Sequence, residues 1–136
     1  MGNVLQSDPG IKISVADAFD ACARAGSGAM ALLGRDQTLT YATLQNRVWS
    51  VAGMLSDHGV GAGDFVGLYT TRSIDAIVGM LACLRAGAVF VPLDPSFAPE
   101  QLGFIANDVP LVIILAHQDH IADAAALFDA KAPLIL

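Results

Sequence analysis

The chain has 136 residues, of which 54% are hydrophobic and 15% charged, so intrinsic disorder is excluded and a buried core is possible. Its net charge of −6, with the basic residues scattered singly, argues against a nucleic-acid partner. The mean hydropathy of +0.57 is high for so small a domain, and we expect other protein to cover part of its apolar surface.

The apolar stretch 74–93 is the best candidate for a membrane span. It contains Asp75 and Arg85 and is interrupted by Gly87 and Pro92, which excludes a spanning helix. The first ten residues also lack the cationic and apolar segments of a secretory signal. We therefore expect a cytoplasmic protein with no membrane partner.

A loose segment, residues 1–13, precedes the first predicted element. Ser14 can cap a helix over about 15–25, because apolar residues follow it at helical spacing. The stripe that we expect to be buried contains Val15, Ala18, Phe19 and Cys22.

Two short apolar runs follow, at 29–33 and 38–41, separated by Gly34, Arg35, Asp36 and Gln37. This pattern predicts a β-hairpin. Thr40 can then cap a long helix that extends to about His58.

The second half of the chain alternates short apolar runs with helical patterns. The expected elements are strand 65–70, a helix capped by Ser73, strand 89–91, helix 99–106, strand 111–115, helix 119–128 and strand 133–136. Such alternation predicts an α/β fold, with a largely parallel sheet flanked by helices on both faces and a small N-terminal β-hairpin. The helix after Ser73 is apolar on nearly every side, so we expect it to be almost wholly buried.

The last residues, Leu134, Ile135 and Leu136, form an apolar run with no turn or polar tail after it. We interpret 14–136 as one incomplete unit, a fragment or a truncation. Cys22 and Cys83 are expected to be reduced, buried small hydrophobes, with a disulfide or metal role as the alternative.

Gly59, Gly61 and Gly63 form the first candidate for a phosphate-binding loop. They lie between a helix and a strand, the reverse of the order in nucleotide-binding loops, which favours a helix end and turn. His58 at that helix end suits the helix dipole and is interpreted as a cap.

The strand-to-helix turn at Thr70, Thr71, Arg72 and Ser73 is a second candidate for anion binding. It has no glycine, and capping by Ser73 is the favoured interpretation.

The segment HQDHIAD would bring His117, His120 and Asp123 near one face of a helix. We weigh a metal site against Asp119 as a helix N-terminal residue and favour the latter. Asp94 follows a strand, where open parallel sheets bind ligands, but it lies between two prolines and is favoured as a turn former.

Two motifs carry a family resemblance. The first is LTYATL at 39–44, at the start of the long helix, and the second is LRAGAVFVPLDP at 84–95, which spans the end of the buried helix and the strand that follows it. In order and separation they resemble the N-terminal part of adenylate-forming (AMP-binding) ligases, most closely the adenylation domains of nonribosomal peptide synthetases. The resemblance covers about residues 14–136. The ending Pro-Leu-Asp-Pro favours amino-acid activation over fatty-acid or acetate activation.

The resemblance implies a parent enzyme that uses ATP and magnesium to convert a carboxylic acid into an acyl-adenylate and passes it to the phosphopantetheine thiol of a carrier protein. In the family, the phosphate loop, the amino-acid pocket, the acidic residue that holds the ribose and the C-terminal lysine that contacts the acyl phosphate lie downstream of this segment. We therefore assign no catalytic, cofactor-binding or metal-binding residue here, and the fragment alone is expected to be inactive. Thr71 departs from the family pattern, in which Glu commonly precedes the Arg-Ser pair.

The sequence also leaves open which partner the chain binds and two alternative functions. The chain is expected to bind the missing remainder of the adenylation domain or to self-associate through exposed sheet surface. A free-standing truncated module that binds the rest of a split ligase is the second function considered. A small flavodoxin-like ligand-binding domain is the third, and the absence of a glycine-rich loop after Thr70 argues against it.

Overall fold

The computed structural model describes residues 13–128 and 133–136. The predicted loose segment at 1–13 lies, except for its last residue, outside the described residues. The elements in chain order are α1 (Val15–Ala25), β1 (Met30–Leu33), β2 (Thr38–Thr40), α2 (Tyr41–Asp57), β3 (Phe65–Tyr69), α3 (Ile74–Arg85), β4 (Val89–Leu93), α4 (Pro99–Asp108), β5 (Leu111–Ala116), a 3₁₀ turn (Gln118–His120), α5 (Ile121–Phe128) and β6 (Pro133–Ile135).

In the part of the chain that the structure describes, the main sheet has four strands in the order β4-β3-β5-β6, and every neighbouring pair is parallel. Tyr69 at the end of β3 lies opposite Leu93 of β4 and Ala116 of β5. The carboxyl ends of three strands therefore meet at one edge. The α/β class predicted from the alternating pattern is confirmed.

Helices cover both faces of this sheet. Along β5, Ile113 and Leu115 belong to a core with α2 and α3, whereas Ile114 and Ala116 belong to a second core with α4 and α5. The alternation follows from the two-residue period of a strand, and it explains why the run reads as continuously apolar.

Side-chain caps begin the first three long helices. The side chains of Ser14, Thr40 and Ser73 each accept one hydrogen bond from the backbone N–H of the residue three positions later. The distances are 3.0, 3.2 and 3.2 Å, respectively. These bonds satisfy donors that a helix leaves unpaired at its start. All three predicted caps are confirmed.

The predicted hairpin is also present, as the antiparallel pair β1–β2. Leu39 is buried in the core that contains α2 and α3. At the hairpin turn, a Cβ on Gly34 would lie 2.7 Å from Cδ1 of Ile74 and 3.1 Å from the backbone oxygen of Gln37, closer than Cβ atoms normally pack, so glycine favours this approach. The turn is thereby held against the start of α3.

The prediction of which α1 residues are buried is wrong, because the buried face is shifted by about one residue along the helix. The buried residues are Ala16, Asp20 and Ala23, while Val15 is 60% exposed and Cys22 is exposed. The polar Asp20 turns inward because it has partners on the neighbouring helices, a tertiary effect that apolar periodicity does not detect. The expectation that Cys22 is buried is therefore corrected, whereas Cys83 is fully buried.

Three smaller differences concern helix length and burial. The apolar residues of α3 are divided between buried and half-buried positions, so α3 is less buried than predicted. The helix predicted from Asp119 begins at Ile121 after a 3₁₀ turn, and α4 extends to Asp108.

Within the described residues, no helix has the length and apolar character needed to cross a membrane.

Candidate functional site: a cleft at the carboxyl ends of the strands

A cleft of about 530 Å³ lies between the hairpin turn, the first turn of α3 and the residue that follows β5. Because β3 and β5 are parallel neighbours, the chain segments that leave them lie side by side at this edge. The hairpin forms the opposite wall. The lining residues are Leu32, Leu33, Gly34, Arg35, Asp36, Gln37, Arg72, Ser73, Ile74, Asp75, Ile77 and His117.

Asp75 connects three elements beside this cleft. Its Oδ1 forms an ion pair with Arg47 of α2, and its Oδ2 lies 3.3 Å from Nε2 of His117. The Asp75 side chain is only 16% exposed, so its charge requires these partners. The carboxylate thus holds α2, the start of α3 and the end of β5 together.

His117 begins the 3₁₀ turn and does not lie within a helix. Its Nδ1 accepts a hydrogen bond from the backbone N–H of Asp119 at 3.1 Å, which leaves the proton of a neutral ring on Nε2, facing Asp75. The ring of His120 packs edge-on against both Tyr69 and His117, with ring centroids 5.9 and 6.2 Å apart. Among the described residues, no group of three or more His, Cys, Asp or Glu side chains could hold a metal ion.

In the turn from β3 to α3, the hydroxyls of Thr70 and Ser73 form hydrogen bonds within the turn and to α3. Ser73 caps α3 by accepting from the N–H of Ala76, and it donates to the carbonyl of Thr71. Thr70 donates to that same carbonyl at 3.3 Å. Capping by Ser73 is confirmed, and of this turn only Arg72 and Ser73 reach the cleft.

Asp94 lies at the same edge of the sheet but outside the cleft. Its Oδ1 accepts from the N–H of Ser96 at 2.9 Å, and its carbonyl accepts from the N–H of Phe97. These bonds confirm the turn-forming role. The hydrogen bonds from Ser96, together with the positive charge of Arg72, lower the pKa of the Asp94 carboxyl.

The glycines at 59–63 form a helix end and a turn, as predicted. Gly59 and Gly63 have φ values of +80° and +81°, in the left-handed region that favours glycine. The N–H of Gly63 donates to the carbonyl of Gly87 at 3.0 Å. His58 lies at the C-terminus of α2, with Nδ1 2.8 Å from the carbonyl oxygen of Met54, which fits the predicted capping role.

Four charged residues at or beside the cleft carry no sequence signal that identifies them as a group. The local pattern marks Arg35 and Asp36 only as turn residues, and Arg47 and Asp75 only as scattered charges. Asp75 in the first turn of α3 is a weak local signal, because a carboxylate there also suits the helix dipole. Its partner is 28 residues away, so only the packing of α2 on α3 reveals the pair.

Sequence relatives cover most of this chain but only a small part of their own length. Surfactin synthase subunit 3 of Bacillus subtilis (strain 168) is 35% identical over 109 residues, covering 80% of this chain and 8% of its own. Tyrocidine synthase 3 of Brevibacillus parabrevis is 36% identical over 97 residues, covering 71% of this chain and 2% of its own.

Solved structures share the fold. The nonribosomal peptide synthetase FmoA3, in a form bound to alpha-methyl-L-serine-AMP, superposes with a TM-score of 0.85 at 20% identity, covering 95% of this chain and 14% of its own. The N-terminal subdomain of Klebsiella oxytoca NpsA, in complex with 3-hydroxybenzoyl-AMSN, gives a TM-score of 0.75 at 23% identity, covering 90% of this chain and 30% of its own.

The family model described as "AMP-binding enzyme" matches residues 19–134. This match contains both sequence motifs, the hairpin, the first three strands of the parallel sheet and every residue of the cleft. The chain belongs to the AMP-binding enzyme family.

Proposed function

We propose that this chain is the N-terminal part of an adenylation domain whose parent activates a carboxylic acid, an amino acid, with ATP and transfers the acyl group to a phosphopantetheine thiol. The observation that carries the proposal is the family match over residues 19–134. The names of the relatives, tyrocidine and surfactin synthases, support peptide synthesis. The acyl-adenylate ligand of the FmoA3 structure supports an adenylate-forming parent.

The described residues contribute scaffold and do not fit a magnesium–nucleotide complex. The strand-to-helix turn at 70–73 contains no glycine, and the hydroxyls of Thr70 and Ser73 are engaged in capping and in bonds to the Thr71 carbonyl. No acidic cluster suited to a metal occurs within 13–128 or 133–136. We therefore derive no catalytic step from these residues, and the chain alone is proposed to be inactive.

The test is ATP–pyrophosphate exchange with a panel of amino acids. The chain alone should give no exchange. When residues 19–134 replace the aligned region of surfactin synthase subunit 3, the chimera should retain exchange, since the segment supplies an equivalent scaffold. Exchange by the isolated chain, or a folded chimera that has lost it, would contradict the proposal.

A second candidate is a free-standing module that binds the rest of a split ligase. Exposed large apolar side chains favour a protein partner: Leu33 is 77% exposed, Phe104 71% and Met30 62%. On this hypothesis the chain self-associates alone and becomes monodisperse when the complementary half is added. Sedimentation velocity tests this hypothesis. A chain that is monodisperse alone and does not bind the added half would exclude this candidate.

A further inference from the structure

The two ring nitrogens of His117 have different partners. Nε2 lies 3.3 Å from Oδ2 of Asp75, and Nδ1 accepts a hydrogen bond from the backbone N–H of Asp119 at 3.1 Å. The side chain of His117 is 36% exposed, so protons from solvent reach the ring. His117 therefore joins the start of α3 to the 3₁₀ turn through bonds that depend on where the ring carries its protons.

Carboxylates lie on both sides of this ring. Asp75 of α3 is shared with Arg47 of α2, and Oδ2 of Asp119 lies 3.5 Å from Nδ1 of His117. The ring of His120, in the same turn, is a second titratable group, with its centroid 6.2 Å from that of His117. The other charged residues that line the same cleft are Arg35, Asp36 and Arg72. A protonated His117 thus has a carboxylate within reach of each nitrogen.

Protonation changes what Nδ1 can bond. In the neutral ring this nitrogen offers a lone pair to the Asp119 N–H, and the ring proton is on Nε2. When Nδ1 takes up a proton from solvent, both nitrogens are donors and the Asp119 N–H loses its acceptor. A donor then faces a donor, whereas the Asp119 carboxylate is available at 3.5 Å. The protonated ring therefore favours a different geometry of the turn.

We propose that protonation of His117 switches the 3₁₀ turn Gln118–His120 between two bonding patterns. Nδ1 leaves the Asp119 N–H and binds the Asp119 carboxylate, while Nε2 stays paired with Asp75. The turn carries His120, whose ring packs against Tyr69 at the carboxyl end of β3, so the change reaches the edge of the sheet. Histidine is the side chain that ordinarily changes charge between about pH 5 and 8. The switch does not depend on the proposed parent reaction.

An NMR titration of the 136-residue chain from about pH 8 to pH 5 tests the proposal. The ring ¹⁵N signals of His117 report its tautomer, and the amide signal of Asp119 reports the bond to Nδ1. At the high end we expect a neutral ring with its proton on Nε2. As the ring becomes protonated, the Asp119 amide signal should shift with the same midpoint, and its hydrogen exchange should become faster.

Three variants assign the transition. His117→Asn retains an acceptor close to the position of Nδ1 but takes up no proton, so the Asp119 amide signal should no longer titrate. His120→Asn is the matched control, since it removes the other ring of the turn and should leave the transition in place. Asp119→Asn keeps the backbone N–H and removes the carboxylate that binds the protonated ring. Its midpoint should fall by roughly half a pH unit.

Three results would overturn the proposal. The first is an Asp119 amide signal that stays constant while the His117 ring titrates, and the second is a neutral ring with its proton on Nδ1. Both are measured on the unchanged chain, so they hold even where a variant does not fold. The third is a transition of the Asp119 amide that persists in His117→Asn.

Discussion

Arg85, in the last turn of α3, forms an ion pair with Asp20, which lies buried in the middle of α1. The same carboxylate accepts a hydrogen bond from the side-chain amide of Gln45 on α2 at 3.0 Å. One acidic group thus joins three helices. Burial of a carboxylate is tolerated only when such partners compensate its lost hydration.

Removal of the arginine should therefore destabilise the fold. We expect Arg85→Met to lower the free energy of unfolding by about 2 kcal/mol, below the full range for buried pairs because the Arg85 side chain is 40% exposed. Urea denaturation measures the change. The control Arg24→Met should change stability by less than about 0.5 kcal/mol. Equal effects of the two substitutions would show that the Asp20 pair contributes nothing.

The second prediction concerns a glycine in the central strand β3. A Cβ on Gly67 would lie 2.9 Å from Leu93 Cδ1 and 3.2 Å from Ile114 Cγ1, and both neighbours are fully buried, so any shift must be accommodated within a packed core. Gly67→Ala should destabilise by about 1–3 kcal/mol through overpacking. The control is Gly103→Ala in α4, where an added Cβ would have no neighbouring atom within 4 Å. It should be neutral or stabilising by up to about 1 kcal/mol. A stable Gly67→Ala protein would refute the packing argument.

The third prediction uses the two free thiols. Burial raises the pKa of the Cys83 thiol to about 12, whereas Cys22 is exposed. A thiol reagent such as DTNB at neutral pH should modify one cysteine in the folded chain and both in denaturant, because the thiolate is the reactive form. Cys22→Ser should abolish the rapid reaction, and persistence of that reaction would contradict the assignment.

The same pKa shift has a consequence for alkaline stability. Because the folded pKa of Cys83 lies above its ordinary value of 9.0, the stability linked to it is present below pH 9 and is lost as pH rises toward about 12. Cys83→Ala should flatten that alkaline decline in denaturation curves. An unchanged slope would exclude Cys83 as its source.

The fourth prediction concerns acid titration at Asp94. Its pKa should be below the ordinary 3.8, since the ionised form accepts the bonds from Ser96 and is near Arg72. The linked stability is therefore present above pH 3.8 and is lost as pH falls through the lower folded value. Carboxyl NMR titration measures it directly. Arg72→Gln should raise the pKa of Asp94, and a value at or above 3.8 in the unchanged chain would refute the turn geometry.

Local chemistry explains why so much of the fold could be predicted. A hydroxyl before a helical pattern acts within its own turn, so Ser14, Thr40 and Ser73 were identifiable as caps from neighbouring residues alone. The continuous apolar run at Leu111–Ala116 likewise follows from burial on both faces of a strand. Both signals have a range of only a few residues.

The cleft and the buried charges depend on contacts of long sequence separation. No local pattern indicates that Asp20 turns inward, because its partners Gln45 and Arg85 come from other helices. The placement of Arg35 and Arg72 around one cavity likewise requires the hairpin to fold back onto α3.

The amino-acid sequence by itself determined the succession of strands and helices along the chain, the caps of the first three long helices and the family, because short-range patterns and motifs carry this information. Only the tertiary structure decided which charges are paired and which line the cleft. The physical reason is that electrostatic interactions depend on distance in space, and the packing of helices on the sheet sets that distance.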